Sequence, residues 1–523
     1  MSDDPEREVW QSRLGLIFAM AGNAVGLGNF LRFPVQAASN GGGAFMIPYF
    51  VAFLLLGIPM MWVEWSIGRY GGKKGHGTTP GIFFHLWDHP AAKYIGVLGI
   101  ALPAAFAVYY SFIQSWTLAY SYFSLSGSYF GITSQEEMML FLSSYQGVTT
   151  SQFFNGLGSA YVFFIINLLV VTWVLARGIV RGIETLAKFA MPLLFIFALV
   201  LVVRVFTLGA PDPTHPEQSV MAGFAFIWNP DFSQLTNGSV WLAAAGQIFF
   251  SLGIGIGSMQ TYASYLRAKE DIALTGLTTS MSNGFAEVVL GSSIAIPVAV
   301  AFFGISATQA IANGGSYDLG FASMPLIFQR LPLGQVFGTL WFGLLFIAGI
   351  TSTVALTQTT MAFLQDEMNW TRIKAALTVG AVLFLGGNFV LFYYVHGVVN
   401  EFDFWVGTVG LVVFSTVEVI IYGWIFGMEN AWKEITEGAA IHIPRIFFYI
   451  IKYVTPALLI ILLGIWVWQA GLDIFLLRNA NPDDLPFLWA ARALICSLVV
   501  IGVILVAVVS KRWQRSPVAQ SSL

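Results

Sequence analysis

Two short stretches place polar groups and helix breakers inside otherwise apolar sequence: AGNAVGLGNFLRFP at 21–34 and SLGIGIG at 251–257. Glycine in a helix costs about 1 kcal/mol relative to alanine. Irregular backbone at membrane depth is tolerated only where it lines a cavity or is buried in protein. A helix interrupted there offers unpaired N–H groups at the start of its second half, which suit a carboxylate. It also offers unpaired C=O groups at the end of its first half, which suit cations. The chemistry is that of a site for a zwitterion carrying an ammonium and a carboxylate, together with small cations. A further polar pair, Asn283 and Glu287, sits i, i+4 in another apolar run. An intramembrane carboxylate is costly and marks function by default. Close helix packing also uses glycine. A phosphate loop is excluded for GIGIG, because no strand precedes it and no βαβ unit surrounds it.

Catalytic sets are missing from the sequence. There is no Ser/His/Asp constellation and no HExxH, and the six histidines have no paired ligand spacing. The single cysteine, Cys496, lies in an apolar run, so neither a disulfide framework nor a metal cluster is expected. The reading is therefore not an enzyme.

The elements that position these residues must be membrane helices. Of 523 residues 57% are hydrophobic and only 10% charged, against about 25% charged in a soluble domain. Mean hydropathy is +0.75. The apolar segments are continuous rather than alternating, which disfavours a β-barrel. The net charge of −3 gives no reason to expect nucleic acid. The opening MSDDPEREVWQS is polar and acidic and is not a signal peptide, so the first span directs insertion.

About twelve spans are expected, at roughly 12–37, 42–70, 90–124, 160–177, 185–206, 239–267, 271–303, 335–367, 373–395, 398–425, 445–470 and 485–510. Residues 125–158, with Glu136 and Glu137, and 207–238 are predicted as ordered outer loops, and 305–333 as a helical hairpin over the membrane face. Basic residues collect in alternate connections: Arg69, Lys73 and Lys74; Arg177, Arg181 and Lys188; Arg267 and Lys269; Arg372 and Lys374; Lys433 and Arg445; Lys511, Arg512 and Arg515. The positive-inside rule puts these connections and both termini in the cytoplasm, as expected for a multi-pass protein of the plasma (inner) membrane. The interrupted spans are the first and sixth. Two such spans five apart are the mark of an inverted-repeat transporter with its site at the midplane. Spans 1–5 (about 12–206) and 6–10 (about 239–425) form the repeats and 11–12 (about 445–510) are peripheral, within one domain over 1–523.

The segments GNAVGLGNFLRFP, NGGGAFMIPY (40–49), WTLAYSYF, GQIFFSLGIGIGSMQTYASY (246–265), AGITSTVAL (348–356) and DFWVGT (403–408) closely resemble the neurotransmitter:sodium symporter family, from about Trp10 to about residue 510. The resemblance implies an all-α fold of about twelve membrane helices with a 5+5 inverted repeat of the LeuT type. It implies sodium-coupled amino acid symport by alternating access, with two sodium ions, a lipid bilayer around it and a homodimer as a partner arrangement. A non-transporting amino acid receptor on the same fold is the alternative.

By the same resemblance, one sodium site takes Ala24, Asn29, Ser251 and Asn283, completed by the substrate carboxylate. The second takes carbonyls of Gly22, Val25 and Ala348 with hydroxyls of Thr351 and Ser352. All-oxygen sites without protein carboxylates suit a monovalent hard cation. The substrate carboxylate would meet Leu27, Gly28 and Tyr110, and its ammonium Ala24, Phe250 and Ser251. Gly26 stands where monoamine carriers have aspartate, which favours an α-amino acid. Phe106, Tyr110, Phe250, Gly253, Ile256, Ser352 and Leu356 would shape the side-chain pocket. With no ionisable residue among them, a neutral, mostly apolar amino acid is expected. Arg32 with Asp403 match an outer gate, and Arg7 with Asp366 an inner one near Trp10, Ser264, Tyr265 and Gln358. Glu287 replaces the serine of chloride-dependent members, so no chloride requirement is expected. Glu64 and Glu418 are read as structural, holding the broken helices, and Gln114, where a relative has glutamate, as a local hydrogen-bonding difference.

Overall fold

The computed structural model describes residues 8–513. Among them every regular element is helical. Ten helices are long and apolar enough to cross a membrane unbroken: α2 (Gly43–Lys73), α3 (Ala92–Ser126), α4 (Gly158–Ala176), α5 (Ile179–Phe206), α7 (Ile272–Phe303), α8 (Gly334–Glu367), α9 (Arg372–Phe392), α10 (Val398–Ile425), α11 (Ile446–Trp466) and α12 (Leu485–Trp513). α1 comprises Arg13–Ala24 and Gly28–Ser39, bent by 49° between them. α6 comprises Gly238–Leu252 and, after its own break, Ser258–Ala263. Neither half of α6 is long enough to cross alone, which is why its apolar run yields only a 15-residue helix.

The predicted loops carry their own helices. Residues Gln135–Tyr145 and Val220–Trp228 order the two long connections, and Ile305–Gly314 with Met324–Gln329 form the expected hairpin. Boundaries shift by a few residues. The largest shift is at α5, whose first turn is a π-helical stretch, Ile179–Glu184, entered through Gly178 at φ +81°.

Long helices α3 and α8 pack along each other, and α1, α5 and α6 pack on α8. Burial separates centre from rim. The apolar windows of α3 and α7 are 83% buried within the protein, those of α11 and α12 only 28% and 17%. The last two helices are therefore the least covered by the rest of the chain, and the two breaks lie in the buried centre.

Candidate functional site

The two breaks use glycine for different reasons. In α6, Gly253, Gly255 and Gly257 have φ of +63°, +74° and +94°, a region that L side chains enter only at a cost. In α1, Gly26 and Gly28 are not left-handed; they are needed for space. A Cβ on Gly26 would lie 2.8 Å from Ser352 Oγ and 2.9 Å from Tyr110 Oη, and one on Gly28 would lie 2.8 Å from a ring carbon of Phe250. An aspartate at position 26 has no room in this arrangement.

Around these breaks lies a small chamber of about 30 Å³. Of the predicted substrate residues, Ala24, Gly26, Gly28, Phe106, Tyr110, Phe250, Ser251, Gly253, Ile256, Ser352 and Leu356 line it. Leu27 lies just outside, on the wider space above, and its N–H donates to Tyr110 Oη at 3.0 Å. Phe106 and Phe250 approach at 5.7 Å between ring centres. Asn23, Ser258 and Leu411 also line the chamber, and sequence reasoning missed them. Ser258 donates to Asn23 Oδ1 at 3.2 Å. Their signal was available, since each lies within a few residues of a break or on the span that faces it.

Polar groups converge on both sides of the α1 break. Asn29 Oδ1 accepts from the Gly26 N–H at 2.8 Å. The Asn283 amide is 2.8 Å from Asn29 Nδ2 and 2.6 Å from Ser251 Oγ. The amide atom nearest Asn29 also lies 3.1 Å from Ala24 O and 3.2 Å from Ser251 O. With its NH₂ turned this way the amide donates to those carbonyls. With its oxygen turned this way, three oxygens crowd together, an arrangement that only a cation among them favours. The donor set is thus suited to sodium. Behind it, Glu287 accepts from Tyr49 Oη at 2.5 Å, from Ser251 Oγ at 2.7 Å and from the Gln247 amide. Glu287 lies in a π-helical turn, Phe285–Gly291, which the sequence did not foretell.

The second predicted ion set also comes together. Ser352 Oγ is 3.3 Å from Gly22 O and 3.1 Å from Ala348 O. Thr351 Oγ1 donates to Ala348 O at 3.1 Å, and the Thr351 methyl side closes on Gly22. Val25, whose carbonyl was predicted here, caps the first half of α1 in an extended conformation. Its N–H still donates to Ala21 O at 2.6 Å.

On the side of the chamber away from Trp10 is a vestibule of about 470 Å³ lined by Arg32, Asp403, Tyr109 and Asp318 among others. The predicted outer pair is apart. Arg32 stacks over Phe250 at 4.3 Å, and Asp403 accepts from Tyr109 Oη at 2.7 Å. The opposite side is tied shut. Trp10 Nε1 donates to Tyr262 O at 3.0 Å, Gln358 Nε2 to Tyr265 Oη at 3.0 Å, and Ser12 Oγ to Glu184 at 2.7 Å. Ser264 bonds back to Thr261 O at 2.6 Å. Asp366 lies at the end of α8 on this side; Arg7 falls outside the described residues. Glu64 accepts the Gly255 N–H at 2.5 Å and Glu418 the Gln260 amide at 2.5 Å, so both hold the α6 break, as expected from the sequence. Gln114 donates to Asn167 Oδ1 at 2.8 Å, a local bond between α3 and α4.

The model of the sodium:neurotransmitter symporter family matches residues 7–131 and 132–514. The chain belongs to that family. Its members are sodium-dependent transporters rather than enzymes, as the motifs implied. Among its relatives is a sodium-dependent transporter of Methanocaldococcus jannaschii, 30% identical over 464 residues, covering 87% of this chain and 89% of that one. The sodium-dependent nutrient amino acid transporter 1 of Drosophila persimilis is 29% identical over 487 residues, covering 82% and 70%. Among solved structures, MhsT in complex with L-phenylalanine superposes with a TM-score of 0.75 at 27% identity, over 87% of this chain and 99% of that one. The chain thus shares the polytopic helical fold expected from its two broken spans.

Proposed function

We propose that this protein is a symporter for a neutral, mostly apolar α-amino acid, coupled to two sodium ions, independent of chloride, and working by alternating access. One observation carries the substrate class. The chamber at the two breaks is lined by aromatic, aliphatic, glycine, Ser, Asn and Ala residues and by no Asp, Glu, Lys, Arg or His. A charged substrate side chain would be buried there unpaired, which is costly, whereas the α-ammonium and α-carboxylate have carbonyls and N–H groups at the helix ends. That the sodium-dependent relatives include amino acid transporters, and that MhsT binds L-phenylalanine, supports the same class.

In this reading Ala24, Asn29, Ser251 and Asn283 hold the first sodium, and the substrate carboxylate completes its shell. Gly22, Val25, Ala348, Thr351 and Ser352 hold the second. Substrate and ion bind together because neither shell is complete alone. Glu287 supplies beside the first sodium the negative charge that other members take from chloride. Its protonation after sodium release would return a proton across the membrane. The vestibule faces the outside, with Arg32 and Asp403 closing over Phe250 during the cycle, while Arg7 and Asp366 close the cytoplasmic side. The termini are cytoplasmic, the membrane is the plasma membrane and the assembly is a homodimer.

The deciding experiment is uptake of a panel of labelled neutral amino acids into proteoliposomes, with and without an inward sodium gradient. Sodium-driven accumulation of an apolar member, unchanged when chloride is replaced by gluconate, is the expected result. Sodium-dependent binding without accumulation would instead identify a sensor.

A further inference from the structure

The helix α12 touches the protein little, yet its last described turn is firmly held. Trp513 lies beneath the end of α8, and its Nε1 donates to Glu367 Oε2 at 2.6 Å. The other carboxylate oxygen of Glu367 lies 2.7 Å from His76 Nδ1, on the segment between α2 and the short helix Thr79–Leu86. The Trp513 ring meets His76 edge-on at 5.0 Å and Phe84 at 5.6 Å. One turn earlier Ser510 accepts from Lys93 Nζ at 3.0 Å. Val506 and Val509 pack with Val97, Ile100, Ala101 and Phe363 in an apolar cluster separate from the main core. The end of α8 is therefore gripped from two sides by elements that do not otherwise serve the chamber.

Glu367 directly follows Asp366. A buried carboxylate whose two oxygens are bound from two separate elements cannot shift without breaking a bond on one side. Such bonds to a charged acceptor are worth about 1.5–3 kcal/mol each. We propose that Glu367 is a positioning residue for the inner gate: held by Trp513 and His76, it fixes the end of α8, and with it Asp366, in the arrangement closed toward the cytoplasm. Releasing it raises the share of molecules open to that side. This rests on the reading of Asp366 as an inner-gate residue.

The test uses the full chain with Cys496→Ser and a reporter cysteine, Leu16→Cys, in the closed cleft beside Trp10 and Tyr265. Labelling by a membrane-impermeant maleimide is followed in inside-out vesicles at saturating sodium. Glu367→Ala is expected to be labelled about tenfold faster, the population change that ~1.4 kcal/mol carries. Trp513→Phe keeps the ring and loses the N–H, and is expected to speed labelling by about threefold, ~0.65 kcal/mol on the same scale. Glu367→Gln keeps an acceptor for the indole and is expected to stay nearer the parent. Size-exclusion profiles show which variants are folded; Trp513→Phe carries the test if Glu367→Ala is not. If Asp366→Ala speeds labelling while Glu367→Ala and Trp513→Phe do not, the gate stands and the positioning role is overturned. If Asp366→Ala also has no effect, the gate reading itself has failed.

Discussion

At the residue scale the two kinds of glycine make opposite predictions. Gly26→Ala leaves the backbone within reach of any residue but pushes a methyl against Ser352 and Tyr110. It should fold normally and lose substrate affinity by about tenfold or more, ~1.4 kcal/mol, read as sodium-dependent binding of the transported amino acid. Gly255→Ala forces a side chain into a left-handed position against Ser415 and the Leu411 carbonyl. It should cost roughly 2 kcal/mol or more in stability and appear as a lowered melting temperature in detergent. Asn29→Ala and Asn283→Ala each remove one of the amides that meet beside Ala24 O, so sodium-dependent binding should be lost with each; retained binding would sink the ion assignment. Glu287→Ser removes the carboxylate that gathers Tyr49, Gln247 and Ser251, and uptake should then require chloride. Much of this site was legible, because Gly, Asn and Glu weaken an apolar membrane span unless they line a cavity or a site. Asn23, Ser258 and Leu411 were missed although Asn23 and Ser258 adjoin the breaks and Leu411 lies on the facing span α10, since asparagine, serine and leucine have ordinary roles in helices.

Elements were legible where hydrophobicity is continuous. The ten unbroken spans follow from apolar run length alone. The short helix Thr79–Leu86 was not foreseen, because its apolar stretch, Ile82–Phe83–Phe84, is far too short to read as a span. It carries a titratable group outside the membrane. Burial, with help from nearby His76 and Lys74, pushes His85 down from 6.5 to about 4. A histidine whose folded value is depressed is kept neutral by the fold, so its contribution is intact above pH 6.5 and is lost as the pH falls toward 4. The melting temperature should drop across that window, and His85→Asn should flatten the drop. An unchanged slope in that variant would show that another group controls acid sensitivity.

Across the whole molecule, segments far apart in the chain are braced on the side away from the vestibule, next to the cleft beside Trp10. Arg69, fully buried at the end of α2, bonds Glu434 Oε1 at 3.0 Å, Glu437 O at 2.9 Å and Glu270 O at 2.6 Å, tying α2 to the α6–α7 and α10–α11 connections. Arg69→Ala should cost about 3 kcal/mol, within the range for removing one partner of a buried ion pair, and should lower the melting temperature more than Lys73→Ala. The sequence marked Arg69 only as a topology signal, because charge counting sees which side of the membrane a residue is on and not what it binds. The open vestibule and tied opposite side describe one posture of the molecule, and the winding at Gly253 bears on how such a posture can be inherited. An L-residue's Cβ there would approach only Asn23 O, at 3.7 Å; handedness, at roughly 1–2 kcal/mol, rather than crowding is what opposes a side chain. A descendant that gains a side chain at 253 either carries that strain or rewinds the helix in the same step, and in the second case cargo size and gate geometry would pass to it as a single character rather than as two that selection can adjust separately.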